Sequence, residues 1–196
     1  MLHLILFFFL GCCYCQLSRI RVDPNTQQFV DGYGRVRLFH GVNVVYKVPP
    51  YLPNLTQFDP QNSLTDDDLT HLHQWGFNVI RFYTSWMGVN PKSEDDIDEE
   101  YLSQLSTAIG MMERKGIYAL LDCHQDILSR YFCGEGVPDW ITAKLGESMI
   151  QSFPMPIASN ISRDPDTGYP KLDECLQRPF SEYYFTKAVM NGFKML

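Results

Sequence analysis

Gly76-Phe77-Asn78-Val79-Ile80-Arg81-Phe82-Tyr83 and, roughly 40 residues later, Gly116-Ile117-Tyr118-Ala119-Leu120-Leu121-Asp122 decide the fold. Each begins with a glycine that ends a helical pattern and continues as a β-branched or apolar run, the signature of a helix-to-strand joint. Before Gly76, Thr65 is placed to cap a helix whose first turn holds Asp66, Asp67 and Asp68, where the macrodipole favours negative charge. Leu69, Leu72 and Trp75 give that helix its apolar face. Before Gly116, a helix is expected over about 98–115, with Tyr101, Leu105, Ala108 and Met112 at helical spacing and Arg114-Lys115-Gly116 as its C-terminal signature.

Upstream, Arg35 to Val45 reads as the first strand of the series. Asp31-Gly32-Tyr33-Gly34 is turn chemistry, and Gln27-Gln28-Phe29-Val30 is expected to pair with that strand as a hairpin. The order β-α-β-α-β means an α/β fold with a parallel sheet. The third run, 117–122, is almost continuously apolar, which suits a parallel strand covered on both faces. Alternation alone leaves a barrel and a doubly wound sheet both open. No Gly-x-Gly-x-x-Gly follows a strand, and no Walker-type phosphate loop is present. Regularity fades over 134–178, which holds five prolines, and returns as a helix expected over Ser181–Leu196.

The chain has 196 residues, 45 % of them hydrophobic, and a formal charge of −7. The acidic balance argues against non-specific nucleic-acid binding, which needs clustered Lys and Arg. No apolar run reaches the roughly 20 residues of a spanning helix. Leu4 to Leu10, followed by Gly11-Cys12-Cys13-Tyr14-Cys15-Gln16, reads as a secretory leader over residues 1–15; a buried N-terminal strand is the alternative. Asn54-Leu55-Thr56 and Asn160-Ile161-Ser162 are N-glycosylation sequons and agree with export. Of the cysteines beyond the leader, Cys133 and Cys175 lie in loop-like sequence and are expected to pair in an oxidising compartment. Cys123, at a strand end, is expected as a buried small hydrophobe.

Polar groups gather where each strand ends: Asn43 and Lys47, then Arg81, Tyr83 and Trp86, then Asp122, His124 and Asp126. Ligands of parallel α/β sheets and barrels bind at such carboxyl ends. Each residue also has a plainer reading. Arg81 can simply pair with a neighbouring carboxylate, and Lys47, Tyr51 and Trp86 can be ordinary loop residues. Asp122-x-His124-x-Asp126 has ligand types suited to a metal but lacks a further ligand cluster. The acidic residues 94–100 are a solvated helix start. Trp140 is a loop anchor or a face on which a sugar ring stacks.

His40-Gly41-Val42-Asn43, Gly76 to Arg81, Asp122-Cys123-His124-Gln125-Asp126 and Gly134-Glu135-Gly136-Val137-Pro138-Asp139-Trp140 together resemble the N-terminal part of the endoglycoceramidase branch of glycoside hydrolase family 5. The resemblance is clear over about 17–140. It implies a (β/α)8 barrel that hydrolyses the β-glycosidic bond between oligosaccharide and ceramide in glycosphingolipids. The implied mechanism is retaining, with two glutamates about 5–5.5 Å apart, and needs no cofactor and no metal. By the same resemblance Arg81 holds the nucleophile ionised through charge-assisted hydrogen bonds, His124 and Asp126 contact the reacting sugar or its neighbours, and Asp122 and Lys47 bind sugar hydroxyls.

The family's acid/base glutamate ends strand four in an Asn-Glu-Pro sequence, and its nucleophile ends strand seven. No Asn-Glu-Pro occurs in these 196 residues, and Glu135, in its Gly-Glu-Gly setting, matches a different motif. A complete barrel takes about 250 residues. The expectation is therefore a leader followed, over 16–196, by a partial catalytic domain truncated after about three strand-helix units. Such a chain has no catalytic residue of its own, is inactive alone and is aggregation-prone at its open sheet edge. The expected partner is a glycosphingolipid or another β-linked glycan, with contact to a lipid surface and none to nucleic acid, in the extracellular space or the endolysosomal lumen. Two alternatives stand beside this: a secreted remnant that binds glycolipid or protein without catalysis, and a fragment of a family 5 β-glucanase or mannanase.

Overall fold

The computed structural model describes residues 17–124, 126, 129–145 and 162–177. The expected leader, Asn160 and the expected helix over 181–196 lie outside them. Two short strands, β1 (Arg21–Val22) and β2 (Phe29–Val30), pair antiparallel. A parallel sheet then forms in the order β3 (Gly41–Val44), β4 (Val79–Thr84), β5 (Tyr118–Cys123). Helix α1 (Asp66–Gln74) crosses from β3 to β4, while α2 (Trp86–Val89) and α3 (Glu99–Arg114) cross from β4 to β5. After β5 come a 3-10 turn (Arg130–Phe132), α4 (Asp139–Leu145) and α5 (Leu172–Gln177).

Local chemistry sets these boundaries. The Thr65 hydroxyl accepts from the Asp68 N–H while the Asp68 carboxylate accepts from the Thr65 N–H, a reciprocal capping box that starts α1. Asp98 caps α3 through the Tyr101 N–H. Both helices stop at glycines with positive φ, +85° at Gly76 and +74° at Gly116, so each chain turns at once into the next strand. At Gly41 a Cβ would lie 1.6 Å from the Val79 carbonyl oxygen, so β3 can approach β4 only where the side chain is a hydrogen.

The core lies between the sheet and α1 and α3. Leu69, Ile80, Phe82, Met112 and Ile117 are almost completely buried, joined by Tyr101, Leu105 and Ala108. Each such side chain contributes on the order of 1.5–3 kcal/mol by leaving water. The spacing expected on α3 is therefore its core face.

Four expectations are corrected. The first strand is four residues long, because Arg35 and Arg37 are drawn back onto Asp31 and Val36 bridges to Val30. The expected hairpin does form, Val30 bridging antiparallel to Val36 and the Arg37 N–H donating to Phe29 O at 2.8 Å, and Phe29 and Val30 pair as well with β1, an element absent from the sequence expectation. Trp75 is the C-cap of α1, is 67 % exposed and stacks on His71 one turn back, so it is not part of the apolar face. The strand expected to be covered on both faces is open. Leu120 and Leu121, on opposite faces of β5, are 56 % and 50 % exposed, and Cys123 is a free, exposed cysteine. Among the described residues β5 has a neighbouring strand on one side only, so nothing there removes these groups from water.

Candidate functional site

The parallel register places the strand ends side by side: Asn43 pairs with Arg81, Arg81 with Leu120, and Tyr83 with Asp122. From these ends a chain of polar and charged side chains crosses the top of the sheet. Arg81 Nη2 lies 2.6 Å from Asp122 Oδ2. The same carboxylate oxygen lies in close contact with His124 Nε2. The other ring nitrogen, Nδ1, lies 3.0 Å from Asp126 Oδ2. Lys47 Nζ then donates to Asp126 Oδ2 at 2.6 Å and to Glu135 Oε1 at 2.5 Å. All five residues expected at the site, Lys47, Arg81, Asp122, His124 and Asp126, meet in this one network.

Electrostatics follow from the pairing. Burial works to lower the Lys47 pKa, but hydrogen bonds from its ammonium to Asp126 and Glu135 outweigh it and leave the pKa raised. The Asp126 carboxyl is held below the usual range, chiefly by the Lys47 hydrogen bond. Burial pushes the Tyr83 phenol up. That ring stands edge-on to the His124 imidazole, centroids 5.4 Å apart, and fixes one side of it.

Glu135 is the member that sequence reasoning did not place in the site. Its signal was the Gly-Glu-Gly sequence, noted as a motif but with no partner assigned. The fold brings it in by backbone: the Glu135 N–H donates to the Asp126 carbonyl at 3.0 Å, and the Gly134 N–H to Ser129 O at 3.0 Å. A disulfide joins Cys133 to Cys175 and ties this loop to α5. Tyr169 donates to Asp139 Oδ2 at 2.5 Å, and the Arg130 guanidinium lies 4.0 Å from the centre of the Tyr169 ring. Burial, with the Asp139 hydrogen bond, pushes the Tyr169 phenol up to about 12. Trp140 anchors the same loop: its indole N–H donates to the Asn90 carbonyl at 2.9 Å.

Arg81 is paired with a carboxylate, that of Asp122. Among the described residues no group of three or more His, Cys, Asp and Glu is arranged to hold a metal ion. Trp86 opens α2, and Tyr51 lies against Met87, its hydroxyl 3.8 Å from the sulfur.

Residues 46–159 match the cellulase family, glycosyl hydrolase family 5. The chain belongs to this family. Among its family 5 relatives, an endoglycoceramidase of Hydra vulgaris is 40 % identical over 177 residues, covering 90 % of this chain and 33 % of the relative. An endoglycoceramidase of Cyanea nozakii is 37 % identical over 175 residues, covering 89 % and 34 %. Endo-glycoceramidase II from Rhodococcus sp. superposes with a TM-score of 0.54 at 25 % identity, over 84 % of this chain and 31 % of that one. The chain thus spans about a third of the length of these relatives. Its parallel β3-β4-β5 sheet with alternating helices matches part of their barrel, which decides between the two α/β architectures left open above.

Proposed function

We propose that this family 5 chain forms the first three strand-helix units of a retaining glycosidase that splits the β-glycosidic bond between glycan and ceramide, working in an extracellular or endolysosomal lumen. One observation carries the reading: the Arg81-Asp122-His124-Asp126-Lys47-Glu135 network lies at the carboxyl ends of the strands, where barrel enzymes hold substrate. The Hydra vulgaris and Cyanea nozakii relatives are endoglycoceramidases, and a solved structure of the Rhodococcus enzyme is a ganglioside GM3 complex.

The chemistry of the network suits sugar hydroxyls. Asp122 and Asp126 accept hydrogen bonds, the Lys47 ammonium donates them, and His124 offers ring nitrogens between the two carboxylates. Because these charges already hold one another, their geometry is set before a sugar arrives. Arg81 keeps a positive charge at the end of β4, where it would favour the ionised form of a further carboxylate. In this proposal the acid/base and nucleophile glutamates are supplied by residues other than these 196, and the chain by itself binds glycan but does not hydrolyse it. Contact with the lipid surface that carries the substrate is part of the same proposal.

The test is cleavage of a fluorescent ganglioside by the protein that contains this segment together with an Asn-Glu-Pro strand. Arg81→Ala in that protein is expected to lower kcat/KM by about 100-fold or more, the size of effect seen when one preorganised electrostatic group is removed. Unchanged kcat/KM in a folded Arg81→Ala variant contradicts the role given to Arg81. No cleavage by the unsubstituted protein contradicts the substrate class.

A further inference from the structure

We infer that Asn54 carries an N-linked glycan and that its first sugar seats in a recess on the outer flank of the domain, a feature independent of the proposed glycosidase activity. The sequon Asn54-Leu55-Thr56 lies in the loop between β3 and α1. Its backbone is held on both sides: the Asn54 N–H donates to Asn62 O at 2.8 Å, and Asn54 O accepts from the Leu64 N–H at 2.9 Å. The side chain is exposed. Its Oδ1 accepts from the Thr56 N–H at 2.9 Å, the Thr56 hydroxyl at 3.1 Å and the Gln57 N–H at 2.9 Å. The amide oxygen is thus occupied, while Nδ2 makes no hydrogen bond to the described residues.

Asn54 itself lines an open recess of about 590 Å³, with Tyr46, Pro50, Pro53, Asn62, Gln104 and Thr107 among the other lining residues. Rings together with amides and a hydroxyl in one lining are the mixture that suits an N-acetylhexosamine, which has an apolar ring face and hydroxyl and acetamide edges. None of these residues belongs to the Lys47-Arg81 network, so a sugar here leaves the top of the sheet free.

The modification takes its sugar from a polyprenyl-diphosphate-linked oligosaccharide, the donor met by chains entering the secretory lumen. A bond forms between Asn54 Nδ2 and the anomeric carbon of the first N-acetylglucosamine. The bond from that carbon to the diphosphate oxygen breaks, the polyprenyl diphosphate leaves with the bonding electrons, and Nδ2 loses one proton. No oxidation or reduction occurs.

The experiment expresses the full chain with its own N-terminus in an animal cell line and follows the Asn54 peptide by mass spectrometry before and after peptide-N-glycosidase. The unsubstituted chain and Asn160→Gln should both release glycan at Asn54, with conversion to Asp on release. Asn54→Gln and Thr56→Ala should lose it, and Thr56→Ser should keep it. Enzymatic removal from Asn160→Gln should then lower the unfolding midpoint, the mark of a seated sugar. An Asn54 peptide recovered unmodified from medium or cells overturns the site. A glycan whose removal leaves the midpoint unchanged overturns the seating.

Discussion

Two clusters of charged side chains, one around Asp31 and one from Arg81 to Glu135, both pair carboxylates with basic groups, yet they are held differently. Asp31 is fully buried. Its Oδ1 accepts from the Tyr33 and Arg35 N–H groups, and its Oδ2 from Arg35 Nε and Arg37 Nε. Phe29, Phe39 and Tyr118 stack edge to face beside it, and the Tyr118 hydroxyl ties the sheet to Ser18 O. Burial alone would raise the Asp31 pKa, but the Arg35 backbone and side-chain hydrogen bonds reverse it and lower it to about 2. At the carboxyl ends of the strands the network from Arg81 to Glu135 leaves Asp126 48 % exposed and Lys47 34 % exposed. A carboxylate with both oxygens filled by its own turn is a staple. Charges held in line but left open to solvent can exchange one another for a ligand, which is what a binding surface requires.

Gly41→Val tests whether the two clusters share one scaffold. The new side chain meets the Val79 carbonyl, so β3 cannot pair with β4 and both clusters should be lost together, at a cost above about 4 kcal/mol. Circular dichroism would show it, and a cooperative native melt from this variant would contradict the close approach. Asp31→Asn separates the clusters. It should lower the unfolding midpoint at neutral pH by about 5 °C or more while leaving glycan binding intact. The sign with pH is set by the lowered pKa: the Asp31 contribution is present above its unfolded value of about 3.9 and is lost as pH falls towards about 2. Melting curves from pH 7 to pH 2 should therefore show a flatter acid limb in the variant. Trp140→Phe removes the indole bond to Asn90 and should cost on the order of 1 kcal/mol by chemical denaturation. Lys47→Met should change stability least, within about 1 kcal/mol, because its partners are partly exposed. Its effect should fall instead on glycan binding.

Much of the fold was legible because its signals are local. Thr65, Asp68, Gly76, Asp98 and Gly116 mark boundaries through hydrogen bonds and φ angles within a few residues. What was missed depends on long-range contact. The shortness of β3 follows from Asp31 gathering Arg35 and Arg37, and the exposure of Leu120, Leu121 and Cys123 from the absence of a strand beyond β5 among the described residues. An apolar strand reads alike whether its neighbour is present or not. The site was legible to the extent that strand ends name it. Glu135 escaped because it arrives by a loop, 88 residues from Lys47 in sequence, and the backbone bonds of that loop to Asp126 and Ser129 bring it there.

The most direct test incubates the purified 196-residue chain with a fluorescently labelled GM3-type ganglioside and reads the protein peak of a gel-filtration run for bound label and its chemical state. The account predicts intact ganglioside eluting with the chain, less of it with Lys47→Met, and no free ceramide above the protein-free blank. Released ceramide would contradict the claim that these residues hold the sugar without cleaving it, and a protein peak with no bound ganglioside would contradict the claim that they hold it at all.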